Sequence, residues 1–114
     1  MSVDSLLDKV YDRKHYNCLH FAADSWHHLT GDDRLRRVRE DDLQTGRLVE
    51  MFRGMRRHSE ATDAPSLVLM DTLDGLLHIG VCYRRRLLHI SEAGCQFLLV
   101  DAVRPLYKNM RFYS

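Results

Sequence analysis

Asn17-Cys18-Leu19-His20-Phe21-Ala22-Ala23-Asp24-Ser25-Trp26-His27-His28-Leu29-Thr30-Gly31 is the stretch on which the fold turns. Asparagine is a residue type that satisfies the free N–H groups at a helix start, and glycine accepts the left-handed backbone that ends one. Between them Cys18, Phe21, Ala22, Ser25, Trp26 and Leu29 recur at helical spacing and form one stripe. The spacing predicts a helix from Cys18 to about Thr30. The stripe that packs on a core then carries a thiol in its first turn.

Working outward, Leu6, Leu7 and Val10 give a short amphipathic start, and an Arg-rich connection follows the helix. A second helix is expected over 42–57, with Leu43, Leu48, Met51, Phe52 and Met55 as its apolar side. Gly46 and Gly54 oppose it by about 1 kcal/mol each relative to alanine. From there the period shortens to that of strands. Residues 59–64 read as a loop, Pro65 leads into a strand over 66–70, and Asp74-Gly75 marks a turn. Further strands are expected over 76–83, 87–91 and 96–100, the last after Gly94, with 110–113 adding a final one. Helices followed by an antiparallel meander define an α+β domain, its first helix packed across the sheet.

The chain of 114 residues fits one domain, 1–114, with one modest core. Charged residues are 29%, hydrophobic ones 45% and formal net charge is +1, so no global field favours a nucleic-acid partner. Arginines cluster at 34, 36, 37 and 39, at 53, 56 and 57, and at 84–86, as solvated faces and hairpin tips do. The first residues lack the basic and apolar regions of a secretory signal. No apolar run approaches the roughly twenty residues of a membrane span. Three cysteines at irregular spacing, without a C-x-x-C pair, make neither a disulfide framework nor a zinc ribbon.

A thiol at a helix N-terminus is stabilised as thiolate by the macrodipole and the free N–H groups, which also suit an oxyanion. The base must come from elsewhere, because His20 lies two residues along the helix and points to another face than Cys18. His78 opens a strand whose Gly80 allows close approach, and His89 sits on the next strand. An even-numbered loop around Arg84–Arg86 puts the two imidazoles on one face, and an odd loop without a bulge separates them. On one face, His89 can bond the far nitrogen of His78 and fix its tautomer. The plainer reading treats Cys18 as a small buried hydrophobe, Cys82 and Cys95 as core thiols, and His27 and His28 as exposed helix positions. A zinc site of Cys18, His78, His89 and a further cysteine is chemically possible, but no spacing demands it.

Tyr16-Asn17-Cys18-Leu19-His20-Phe21, then His78-Ile79-Gly80-Val81-Cys82-Tyr83, then Leu88-His89-Ile90 resemble in that order the NlpC-type cell-wall cysteine peptidases, and within them small domains encoded with bacteriophage tail genes. The resemblance spans roughly Tyr11 to Tyr113. It implies a papain-like α+β fold with Cys18 as nucleophile, His78 as base and His89 as third polar residue. It also implies a peptidoglycan stem-peptide substrate, cut between D-glutamate and the diamino acid. Tyr16, just upstream, is expected to bind substrate or donate to the oxyanion. No cofactor, resident metal, nucleic acid or membrane span is expected. The implied partners are other tail or tail-tip proteins: the chain would be made in the cytoplasm and carried by the virion to the host wall. Asn-Cys-x-His-Phe is also similar to the nucleophile motif of lecithin:retinol acyltransferases, whose histidines precede the cysteine. Here the cysteine comes first, which favours the hydrolase branch. Two other readings stay open: a non-catalytic tail-tip subunit keeping the same fold, and a toxin or acyltransferase acting on a host component.

Overall fold

Asn17 and Gly31 bound the first helix as their chemistry requires. The computed structural model describes residues 2–39 and 52–114. Helix α1 spans Cys18–Thr30; the Asn17 side chain accepts from the N–H groups of Leu19 and His20, and Gly31 takes φ 77°. The Gly31 N–H donates to the His27 carbonyl at 2.8 Å. His20 completes a capping box, its Nδ1 accepting from the Asn17 N–H at 3.2 Å where a Glu or Gln usually stands.

Strands β1 (Arg57–His58), β2 (Ser66–Thr72), β3 (Leu77–Tyr83), β4 (Arg86–Ser91), β5 (Gly94–Leu99) and β6 (Tyr107–Tyr113) form a six-stranded sheet in the order β1-β6-β2-β3-β4-β5. Every neighbouring pair is antiparallel. A short helix α2 (Val100–Val103) separates β5 from β6. The predicted α+β class, with α1 on an antiparallel sheet, is what is observed.

The differences lie at element ends. Residues 42–51 of the expected second helix lie outside the described residues. That helix does not reach Arg57, because Arg57 and His58 pair with Tyr113 and Phe112 as β1. The strand expected over 96–100 starts earlier, at Gly94, and stops at Leu99. There the Val100 N–H donates to the Arg85 carbonyl at 3.0 Å and the chain turns into α2. The last strand begins at Tyr107 rather than Met110.

Alternation divides the sheet into two buried faces. On one, Leu67, Leu69, Ile79, Val81, Leu88 and Ile90 pack with Phe21, Ala22, Trp26 and Leu29 of α1. On the other, Val68, Met70, Cys82, Leu87 and Phe112 pack with Val100 and Val103 of α2. Fully burying a side chain of this size contributes about 1.5–3 kcal/mol. Coverage of both faces explains why β2 and β3 read as near-continuous apolar runs rather than alternating ones.

Candidate active site

The parity of the β3–β4 hairpin is settled by a two-residue loop. Tyr83 pairs with Arg86, so Arg84 and Arg85 alone form the turn, both with positive φ at 53° and 61°. Such a turn normally selects Asn-Gly, because β-carbons crowd the left-handed region. Here the neighbouring loop holds it: the Arg84 N–H donates to the Asp63 carbonyl at 2.8 Å and the Arg85 N–H to the Thr62 carbonyl at 2.9 Å. The loop is even, and His78 and His89 share a face.

They also meet. His78 Nε2 lies 3.0 Å from His89 Nδ1, the rings edge-on at 82°, and the two residues are 8% and 2% exposed. Gly80 is what lets β4 come this close. A β-carbon there would stand 2.8 Å from Leu87 Cδ1, 3.1 Å from the Leu88 carbonyl oxygen and 3.2 Å from His89 Cβ. Burial, and next the neighbouring His89, push His78 down from the ordinary histidine value to about 3. Burial also lowers His89, opposed by its hydrogen bond to Gln96. Both shifts favour the neutral imidazole, and a value this low also makes His78 a weak proton acceptor in the resting site.

Two further residues complete this cluster. Gln96 lies directly across the ladder from His89, its Oε1 3.1 Å from His89 Nε2. Tyr107 lies flat on His78, ring centroids 5.2 Å apart at 6°, and edge-on to His89. Tyr107 gets there by a β-bulge. Leu69 pairs with Arg111 but Asp71 pairs with Lys108, so β6 carries one extra residue, and Asn109 takes φ 54° there. An extra residue reverses the alternation of everything before it. Tyr107, instead of Lys108, therefore faces the histidines. The hairpin Ser91-Glu92-Ala93-Gly94 already fixes 89 opposite 96, so reading its register would have found Gln96.

Cys18 stands in the first turn of α1, partly buried against the α1-side core. The Tyr107 hydroxyl is raised first by burial and then by the electrostatic influence of Cys18. Tyr107 is in contact with His78 and within electrostatic range of Cys18. The rings project to the opposite side of the pleat from Ile79, Val81, Leu88 and Ile90, the residues that α1 covers. The bulk of the helix and the histidine pair accordingly lie on opposite sides of the sheet.

Tyr16 donates its hydroxyl to Asp24 Oδ2 at 2.6 Å, and burial, then that bond, push it well above the usual phenol range. Its donor is engaged, while its ring lines a shallow pocket of about 180 Å³ with Leu19, His20, Ala23 and Arg36. Cys82 is buried and donates to the Thr62 carbonyl at 3.4 Å; Cys95 donates to the Lys9 carbonyl at 3.1 Å. Burial raises both thiols, as suits structural positions. Among the described residues no group of three or more His, Cys, Asp and Glu is disposed to hold a metal ion, and no helix is long and apolar enough to cross a membrane.

No protein-family model, curated protein or solved structure matches this chain.

Proposed function

We propose that the chain is a papain-like cysteine peptidase of NlpC type that hydrolyses peptidoglycan stem peptides, acting as a component of a phage tail tip. The observation that carries the reading is the His78–His89 hydrogen bond, which joins the two predicted imidazoles on one face of the sheet. Two buried histidines in contact, and a thiol in the first turn of α1, are the residue types that a Cys-His-His triad uses.

In the proposed reaction His78 removes the Cys18 proton and the thiolate attacks the scissile carbonyl. The free N–H groups at the start of α1 steady the oxyanion. His78 then gives its proton to the leaving amine, activates water, and the thioester is hydrolysed to acid and free thiol. His89 holds the His78 ring throughout, and Tyr16, next but one to the thiol in sequence, is the proposed substrate-binding residue.

Purified protein incubated with muropeptides, beside Cys18→Ala, tests the proposal. The expected result is cleavage by the first and none by the second, with a new free amine on the diamino acid. Equal behaviour of the two overturns it and favours the non-catalytic tail-tip subunit. An acyl adduct on Cys18 from a substrate outside the wall would instead favour the acyltransferase.

A further inference from the structure

Gln96 Oε1 stands 3.1 Å from His89 Nε2, and His89 Nδ1 stands 3.0 Å from His78 Nε2. An amide oxygen can only accept, so His89 Nε2 carries a hydrogen. A neutral imidazole carries one, so His89 Nδ1 is a lone pair and His78 Nε2 must be the donor to it. His78 in turn has its hydrogen on Nε2 and a lone pair on Nδ1. One amide therefore decides, through two rings, which nitrogen of His78 is basic. The opposite amide orientation reverses both bonds and leaves His78 Nδ1 protonated, unable to take a proton from anything.

We infer that Gln96 is a positioning residue: through the Gln96–His89–His78 hydrogen-bond chain it holds His78 as the Nε2–H tautomer, with Nδ1 presented as the base. The base role rests on the peptidase reading above, whereas the tautomer does not. In the reaction the Cys18 S–H bond breaks, its proton forms an N–H bond at His78 Nδ1, and the electron pair stays on sulfur. The imidazolium so formed keeps donating from Nε2 to His89, whose own Nε2–H stays on Gln96. No proton need move along the chain, so the geometry is the same before and after transfer. Gln96 is suited to the task because it sits directly opposite His89 in the β4–β5 ladder, where both backbones are fixed.

Nitrogen NMR of the full chain labelled at histidine, at pH 7, reads the tautomers directly. The wild type is expected to give a pyridine-type Nδ1 and a pyrrole-type Nε2 for His78, assigned by loss of the signals in His78→Gln. Gln96→Glu, whose carboxylate also only accepts, keeps that pattern and moves the titration of the pair to higher pH. Gln96→Leu, at a partly exposed position that tolerates an apolar side chain, gives His78 a mixture of tautomers. On muropeptides kcat/KM of Gln96→Leu falls roughly tenfold or more, part of the ~10²–10⁴ that a positioned base contributes, and Gln96→Glu recovers most of it. A pyrrole-type Nδ1 in the wild type, or an unchanged His78 pattern in Gln96→Leu, overturns the inference. A protein with the expected tautomers that leaves muropeptides intact overturns the peptidase reading and leaves the hydrogen-bond chain standing.

Discussion

Gly80 and His89 face each other across the β3–β4 ladder with no room for a methyl group between them. The register that sets Val81 opposite Leu88 brings His89 Cβ to 3.2 Å of where a Gly80 side chain would begin. The tightest contacts include a backbone oxygen, that of Leu88 at 3.1 Å, which cannot rotate away. Gly80→Ala is therefore expected to push β4 off β3, costing about 1–3 kcal/mol as overpacking does. Urea unfolding reads the cost, and histidine ring signals read the separation of His89 from His78. An alanine variant with unaltered stability and ring signals would show that β4 has slack.

The histidine pair makes stability depend on pH in a defined direction. His78 is held at about 3 in the folded chain, and an unfolded histidine titrates near 6.5. Between these values the unfolded state binds more protons than the folded one, so stability rises with pH through that window. It is fully present above about 6.5 and is lost as pH falls toward 3, by on the order of a few kcal/mol. His89, lowered in the same direction, adds to the trend. Unfolding free energy measured from pH 7 to pH 4 should fall more steeply in the wild type than in His78→Gln. Parallel curves for the two proteins would contradict a neutral buried His78.

How far the sequence carries such arguments depends on how local each determinant is. Asn17 and Gly31 terminate α1 through their own side-chain and backbone chemistry, so both ends were legible. The shared face of His78 and His89 reduced to the parity of one loop, and the apolar pattern of β3 and β4 left only that count open. Tyr107 was not legible, because its orientation depends on an extra residue at Asn109 that appears only when β6 pairs with β2. The two-sided sheet was missed for a related reason. Near-continuous burial along β2 and β3 hides which face each residue takes, and α2 is too short to leave a helical period.

Ser25 offers a test of the α1 packing. Its hydroxyl is fully buried on the helix face that meets the sheet, and its Oγ has no hydrogen-bond partner among the described residues. Leaving a buried hydroxyl unpaired costs about 1–3 kcal/mol, and alanine is also the better helix former. Ser25→Ala should raise the unfolding free energy by about 1 kcal/mol and shift the urea midpoint upward with an unchanged slope. A lower midpoint would mean that the hydroxyl makes a bond in solution.

The Arg84-Arg85 turn places two bulky residues in backbone that favours glycine and asparagine, a conformation that costs about 1–3 kcal/mol per residue. The bonds that hold it use main-chain N–H groups, to Asp63 and Thr62, so they survive a change of side chain. What would be lost is the Arg85–Asp63 ion pair at 3.5 Å between two exposed groups, worth at most about 1 kcal/mol, and the Arg84 guanidinium over the Tyr83 ring. Relief of backbone crowding exceeds these, so Arg84→Asn with Arg85→Gly should stabilise the chain by about 1 kcal/mol. The two-residue loop keeps its length, so His78 stays hydrogen-bonded to His89 and the histidine ring signals are expected to be those of the wild type. A fall in the urea midpoint would mean that the arginine side chains, and not the backbone bonds to the neighbouring loop, hold the hairpin in register.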